Sequence, residues 1–191
     1  MWLAVAGEVG LVMALGLCAL RCWRQRQTTP ALQWWLLVLA VALGFIAINA
    51  AVGALRYAGV TEVIPVHMQL TAVSVGWMMP LYLAAALRLW GKLPGSVWGL
   101  WLVLALLPAV SALPGLLRDA MLVLALLRLI QQTPVRLSLT LALALLLAVP
   151  LINLLPLPAD AALGLFHLLL AGHFYAVYRV VPVLSAPRLA S

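Results

Sequence analysis

Breaking the chain at its charged residues, prolines and glycines leaves long apolar runs at roughly 2–20, 32–55, 66–89, 95–113, 116–131, 136–155 and 161–182. A helix needs about 20 residues to cross ~30 Å of hydrocarbon, and most of these runs reach that length. The pattern therefore predicts an all-α bundle of seven transmembrane helices, a single integral membrane domain over residues 1–191. The fifth run is short at a rise of about 1.5 Å per residue, so 95–131 reads either as two full spans or as one re-entrant hairpin. Both readings leave the last helix pointing the same way. Pro80, Pro108 and Pro150 fall inside runs and predict kinks, while Gly44, Gly53, Gly76, Gly164 and Gly172 predict places where a neighbouring backbone comes close.

Composition narrows the class. Of the 191 residues 67% are hydrophobic and 8% charged, and the mean hydropathy is +1.19; a soluble domain carries about 25% charged residues. That leaves too little polar surface to cover a water-soluble globule, so a soluble enzyme, a secreted domain and a nucleic-acid binder are excluded, and the +7 charge is spread singly at the ends of apolar runs and forms no patch. Those basic residues report orientation. Arg21, Arg24, Arg26, Arg88, Lys92, Arg128, Arg136, Arg179 and Arg188 fall on one side, and only Arg56 and Arg118 on the other. The N-terminus is expected outside and the C-terminus inside. Three arginines follow the first run and no basic residue precedes it, the reverse of a cleavable signal peptide, so this run is expected to stay as a helix. Trp23, Trp34, Trp35, Trp90, Trp98 and Trp101 lie near the inner boundary and Trp2 near the outer one, as headgroup-level rings do. The preference for Arg over Lys in a Leu/Ala/Val-rich chain points to a high-GC bacterium and hence to a bacterial inner membrane, with membrane lipids as the surrounding partners. No internal repeat supports an inverted-repeat transporter.

The few polar residues are placed unevenly. Glu8, Asn49, Tyr57, His67, Thr71, Ser74, Asn153, Asp160 and His167 all fall in or near the outer half. Asn49, Gly53, Arg56 and Tyr57 share one face of the second helix; His67, Thr71, Ser74 and Met78 repeat this on the third, and Asp160, Gly164, His167 and Ala171 on the last. Ionisable groups in a bilayer need partners or water, so the stripes predict a polar cavity lined by Asn49, Arg56, Tyr57, Thr71 and Ser74. The alternative is interhelical packing, with Glu8 and Arg56 as an internal ion pair. His67 and His167 with Glu8 or Asp160 are also a sufficient ligand set for a hydrolytic Zn²⁺. His173, about 120° round the helix from His167 and roughly 9 Å along it, reads as packing or a lower-cavity group. A haem between His67 and His167 lacks a second opposed pair. A serine hydrolase at Ser74 needs a base and an orienter that spacing does not supply. Cys18 and Cys22, one turn apart on the reducing side, read as small packing residues.

Two segments, "DAALGLFHLLLAGHFYAVYR" at the last helix and "NAAVGALRYAG" at the end of the second, resemble stretches of the alkaline-ceramidase-like, or CREST, superfamily of seven-helix membrane proteins, particularly its small bacterial members. The resemblance implies a seven-helix, N-out fold. In catalytic members it implies a zinc site that hydrolyses lipid amides, built from a histidine ending the second helix, an H-x3-H pair in the last, and nearby Ser and Asp. His167 matches the first histidine of that pair, Ala171 stands at the second, Tyr57 falls on the second-helix histidine, Gly53 on the serine, and His67 lies near the acid position. Either His67, Glu8 or Asp160 takes over ligation, or the chain keeps the fold without the chemistry. The expectation is a binding, sensing or assembly protein, with a metal-dependent lipid amide hydrolase as the alternative.

Overall fold

A computed structural model of the chain describes residues 2–90, 138, 140, 141, 144, 145, 148 and 150–185. The expected spans 95–113 and 116–131, and with them the choice between two spans and a hairpin, lie outside the described residues. Among the described residues the structure is all-helical and without strands.

Helix α1 runs Trp2–Thr28, eight residues past the end of the expected apolar run. Arg and Gln are good helix formers and no breaker intervenes before Thr29 and Pro30, so the helix carries its three arginines out on its last turns. Pro30 opens a short 3₁₀ turn, Pro30–Leu32, which leads into α2, Gln33–Tyr57. Helix α2 closes in a Schellman motif: the N–H of Gly59 donates to the Arg56 carbonyl and that of Val60 to Leu55. Gly59 adopts φ +103°, the left-handed conformation this cap requires. A second 3₁₀ turn, Thr61–Val63, then enters α3, Ile64–Val73.

The third expected run, 66–89, forms α3, a π turn at Ser74–Met78 and α4, Met79–Trp90, in unbroken succession. The π turn lies just before Pro80. A proline has no N–H for the carbonyl four residues back and its ring crowds that carbonyl; the widened turn, in which the Met79 N–H reaches Ser74 O, accommodates it. Proline acts similarly at the expected segment 136–155: described positions between 138 and 148 are helical, and from Pro150 the chain tightens into the 3₁₀ turn Pro150–Leu154, which includes Asn153. Helix α5 spans Ala159–Ser185.

The short connections make α1 antiparallel to α2, whereas α1 and α5 run parallel, with Gly7 against Gly164, Gly10 against Leu168 and Arg21 against Tyr178. The buried face of α1 reads Ala4, Gly7, Glu8, Leu11, Ala14, Leu15, Cys18, Cys22, the i, i+3, i+4 spacing of one helical face. It packs on Leu36, Leu39, Leu43 and Ile46 of α2 and on Phe174, Val177 and Val181 of α5. The Trp2–Thr28, Pro30–Tyr57 and Ala159–Pro182 segments are long and apolar enough to cross a membrane. Their outward residues are apolar too, including Met13, Leu17, Leu20, Val41 and Ile48. Lipid tails are as apolar as leucine, so close packing rather than hydrophobicity must hold such helices together. Gly7 and Gly164 supply it: a Cβ on Gly164 would stand 2.5 Å from the Leu3 carbonyl oxygen, and one on Gly7 2.6 Å from that of Gly164. Gly172 faces a side chain, Leu145, and no described atom lies within 4 Å of the Cβ position on Gly44.

Candidate functional site

The Schellman turn and the 3₁₀ turn after it bring the last turn of α2 beside the first turns of α3. Across them the Arg56 Nη1 donates to His67 Nδ1 at 3.1 Å. The Arg56 guanidinium also lies 5.4 Å from the Tyr57 ring centroid, and Tyr57 meets His67 edge to face. The missing side chain of Gly53, one turn before Tyr57, leaves the space that Glu8 of α1 and His67 of α3 occupy. A Cβ there would overlap the Glu8 Oε1 and come within 2.9 Å of the His67 Nε2. From the other side His167 of α5 places its Nε2 3.5 Å from the Glu8 Oε1, an ion-pair distance when the imidazole is protonated. Glu8 is 2% exposed, a carboxylate flanked by two imidazoles, one of them held by an arginine. The partner of Arg56 is thus His67, and Glu8 faces histidines.

The other expected residues divide. The Thr71 hydroxyl donates to the Asn49 Oδ1 at 3.2 Å, pinning α3 to α2. Among the described residues the Ser74 hydroxyl, at the start of the π turn, is buried without a hydrogen-bond partner, as is the His167 Nδ1. Asp160 is half-buried in the first turn of α5, where a carboxylate suits the helix dipole, about 10 Å along the helix from His167. Only the backbone of Asn153 is described.

The donor set answers the question of zinc. A guanidinium only donates, so the His67 Nδ1 facing it must accept, and the ring proton of the neutral imidazole sits on Nε2. That nitrogen, the one turned toward Glu8, has no lone pair left for a metal. Histidines that bind zinc do the opposite, donating from their second nitrogen to a carboxylate or carbonyl. One turn after His167 stands Ala171, so the same face of α5 offers no second imidazole there, and among the described residues no three His, Cys, Asp or Glu side chains gather as a metal site. The residues present do not fit zinc.

A second polar contact, which the sequence did not disclose, lies deeper. The Tyr82 hydroxyl and the His173 Nε2 are 3.3 Å apart, with both residues 1% exposed and Phe174 edge-on to each ring. Tyr82 is the next member of the stripe His67, Thr71, Ser74, Met78 carried on by one turn, and that continuation was the available signal. Cys18 and Cys22 are free, buried thiols in the same apolar core. Comparison of the chain with family models, with curated proteins and with solved structures gives no match. The functional reading therefore rests on geometry.

Proposed function

We propose that the chain is a seven-helix, N-out and C-in protein of a bacterial inner membrane that binds or senses a ligand, without catalysis, through a polar site in the outer half of the bilayer. The alkaline-ceramidase-like superfamily is the architecture this reading adopts. One observation supports it: Arg56 donating to the Nδ1 of His67 leaves the ring proton on Nε2, on the side of Gly53 and Glu8, where a hydrolase needs a metal ligand. Intramembrane carboxylates, histidines and arginines are costly and mark functional sites by default. Here the cost is offset by mutual contacts, while the buried His167 Nδ1, without a hydrogen-bond partner among the described residues, is left to meet a polar group of a ligand.

Elemental mass spectrometry of the detergent-purified protein, expressed with added zinc, tests this beside His67→Ala and His167→Ala. The expected result is zinc far below one per chain, equal in all three, with no turnover of lipid amides. Near-stoichiometric zinc that disappears in both variants would overturn the reading and install a metal-dependent lipid amide hydrolase.

A further inference from the structure

The Glu8 cluster is sealed. Glu8 is 2% exposed and His67 and His167 are buried with it, so a ligand reaches them only when one of the surrounding helices moves. Three of those helices are locked together. Leu11 and Leu15 of α1, Leu39 and Leu43 of α2 and Phe174 and Val177 of α5 share one buried core, and Gly7 and Gly164 bring backbone against backbone. Helix α3 differs. Of its ten residues only His67 is buried, and Val66, Met68 and Val73 are exposed. It packs chiefly on α2, tied there by the Arg56–His67 and Thr71–Asn49 hydrogen bonds.

The second half of the same apolar run is fixed. Helix α4 packs on both α2 and α5, and its Tyr82 meets His173 in the core. Between the loosely held half and the fixed half lies the π turn Ser74–Met78, with Pro80 just beyond it. Helices bend sharply at π turns and prolines, because the regular ladder of hydrogen bonds is already interrupted there. Among the described residues the buried Ser74 hydroxyl has no hydrogen-bond partner, so it does not brace the turn against another helix. The surrounding lipid adds to the asymmetry. Hydrocarbon is as apolar as leucine, so an outward swing of α3 is opposed mainly by its polar contacts and not by a hydrophobic penalty.

We propose that α3 is the gate of the Glu8 site, turning about the Ser74–Met78 hinge and latched shut by the Arg56–His67 and Thr71–Asn49 contacts. The inference rests on the ligand-binding reading above. His67 is both latch and wall: as α3 swings out, its imidazole withdraws from Gly53 and Glu8 and releases the Arg56 Nη1, and both the carboxylate and the guanidinium turn to the incoming ligand. A bend of about 20° at the hinge carries Val66, eight residues and ~12 Å beyond Ser74, through about 4 Å.

Electron spin–spin distances in the full chain, reconstituted in bilayers without ligand, test the gate. Val9, Val66, Trp77 and Tyr175 are exposed and accept spin labels as cysteine variants, whereas the native Cys18 and Cys22 are fully buried. Val9→Cys with Val66→Cys reports the outer half of α3, Val9→Cys with Trp77→Cys reports the hinge, and Val9→Cys with Tyr175→Cys reports the α1–α5 pair. Breaking the latch with Arg56→Gln or Thr71→Val should add a second Val9–Val66 distance displaced by about 4 Å, more populated in the double variant, with the other two distances unchanged. An unmoved Val66 label, an equal displacement at Trp77, or a change between Val9 and Tyr175 would each overturn the proposal. The first would show no swing, the second a shift of the whole helix, and the third a loosened bundle. Neither ligand nor metal enters this measurement, so its failure is distinct from a failure of the ligand-binding reading, which the zinc assay decides.

Discussion

Two buried polar clusters sit on the same helices and differ in kind. Tyr82 and His173 are a hydroxyl–imidazole pair packed against Phe174 in a largely apolar core. Glu8, Arg56, His67 and His167 come from four helices and combine ionisable side chains with a buried imidazole nitrogen that has no hydrogen-bond partner among the described residues. A single hydrogen bond between membrane helices is a strut, worth about 0.6 kcal/mol in measured membrane bundles. Ionisable groups cost several kcal/mol to bury, so a chain that keeps four of them together requires a reason beyond packing. The comparison separates a contact that packing explains from a cluster whose chemistry exceeds what packing requires.

Substitutions break that comparison in graded ways. The largest effect is expected at Gly53, where valine would displace both the Glu8 carboxylate and the His67 ring and leave buried charge uncompensated. Thermal unfolding should show a loss of about 3 kcal/mol or more, and a near-neutral G53V would mean that the two groups do not share this space. Gly164→Val comes next. Its side chain meets the Leu3 carbonyl, backbone that cannot rotate away, and overpacking of this sort costs about 1–3 kcal/mol. Arg56→Gln removes the donor to His67 with little change in shape. The expected loss is about 1–3 kcal/mol, since the hydrogen bond is charge-assisted. The smallest effect belongs to Tyr82→Phe, about 0.6–1 kcal/mol. A Tyr82→Phe loss as large as that of Arg56→Gln would erase the distinction between strut and site.

Scarcity made much of the site legible. In so apolar a chain each polar residue stands out, and helical spacing alone sets Asn49 and Thr71 on facing stripes, with Glu8 placed to meet the two histidines. Period gives a face but not a partner. The Arg56–His67 contact depends on the Schellman cap at Gly59, and the tautomer it imposes reverses the metal reading that the same residues invite. Asp160, two turns from His167 on the same face, was grouped with the ligands, but the rise along α5 sets it about 10 Å away. The π turn follows from Pro80, which announced a disturbance without its form. Gly7 was overlooked because a glycine near a helix start looks incidental; only the parallel course of α1 and α5 makes it a contact.

Solid-state ¹⁵N NMR of histidine-labelled protein in bilayers measures the decisive feature directly, with the His67 signal assigned by its loss in His67→Gln. The account predicts a neutral His67 protonated at Nε2 with a bare, hydrogen-bonded Nδ1, and a changed tautomer balance in Arg56→Gln. A His67 protonated at Nδ1 with a metal-coordinated Nε2 would contradict it.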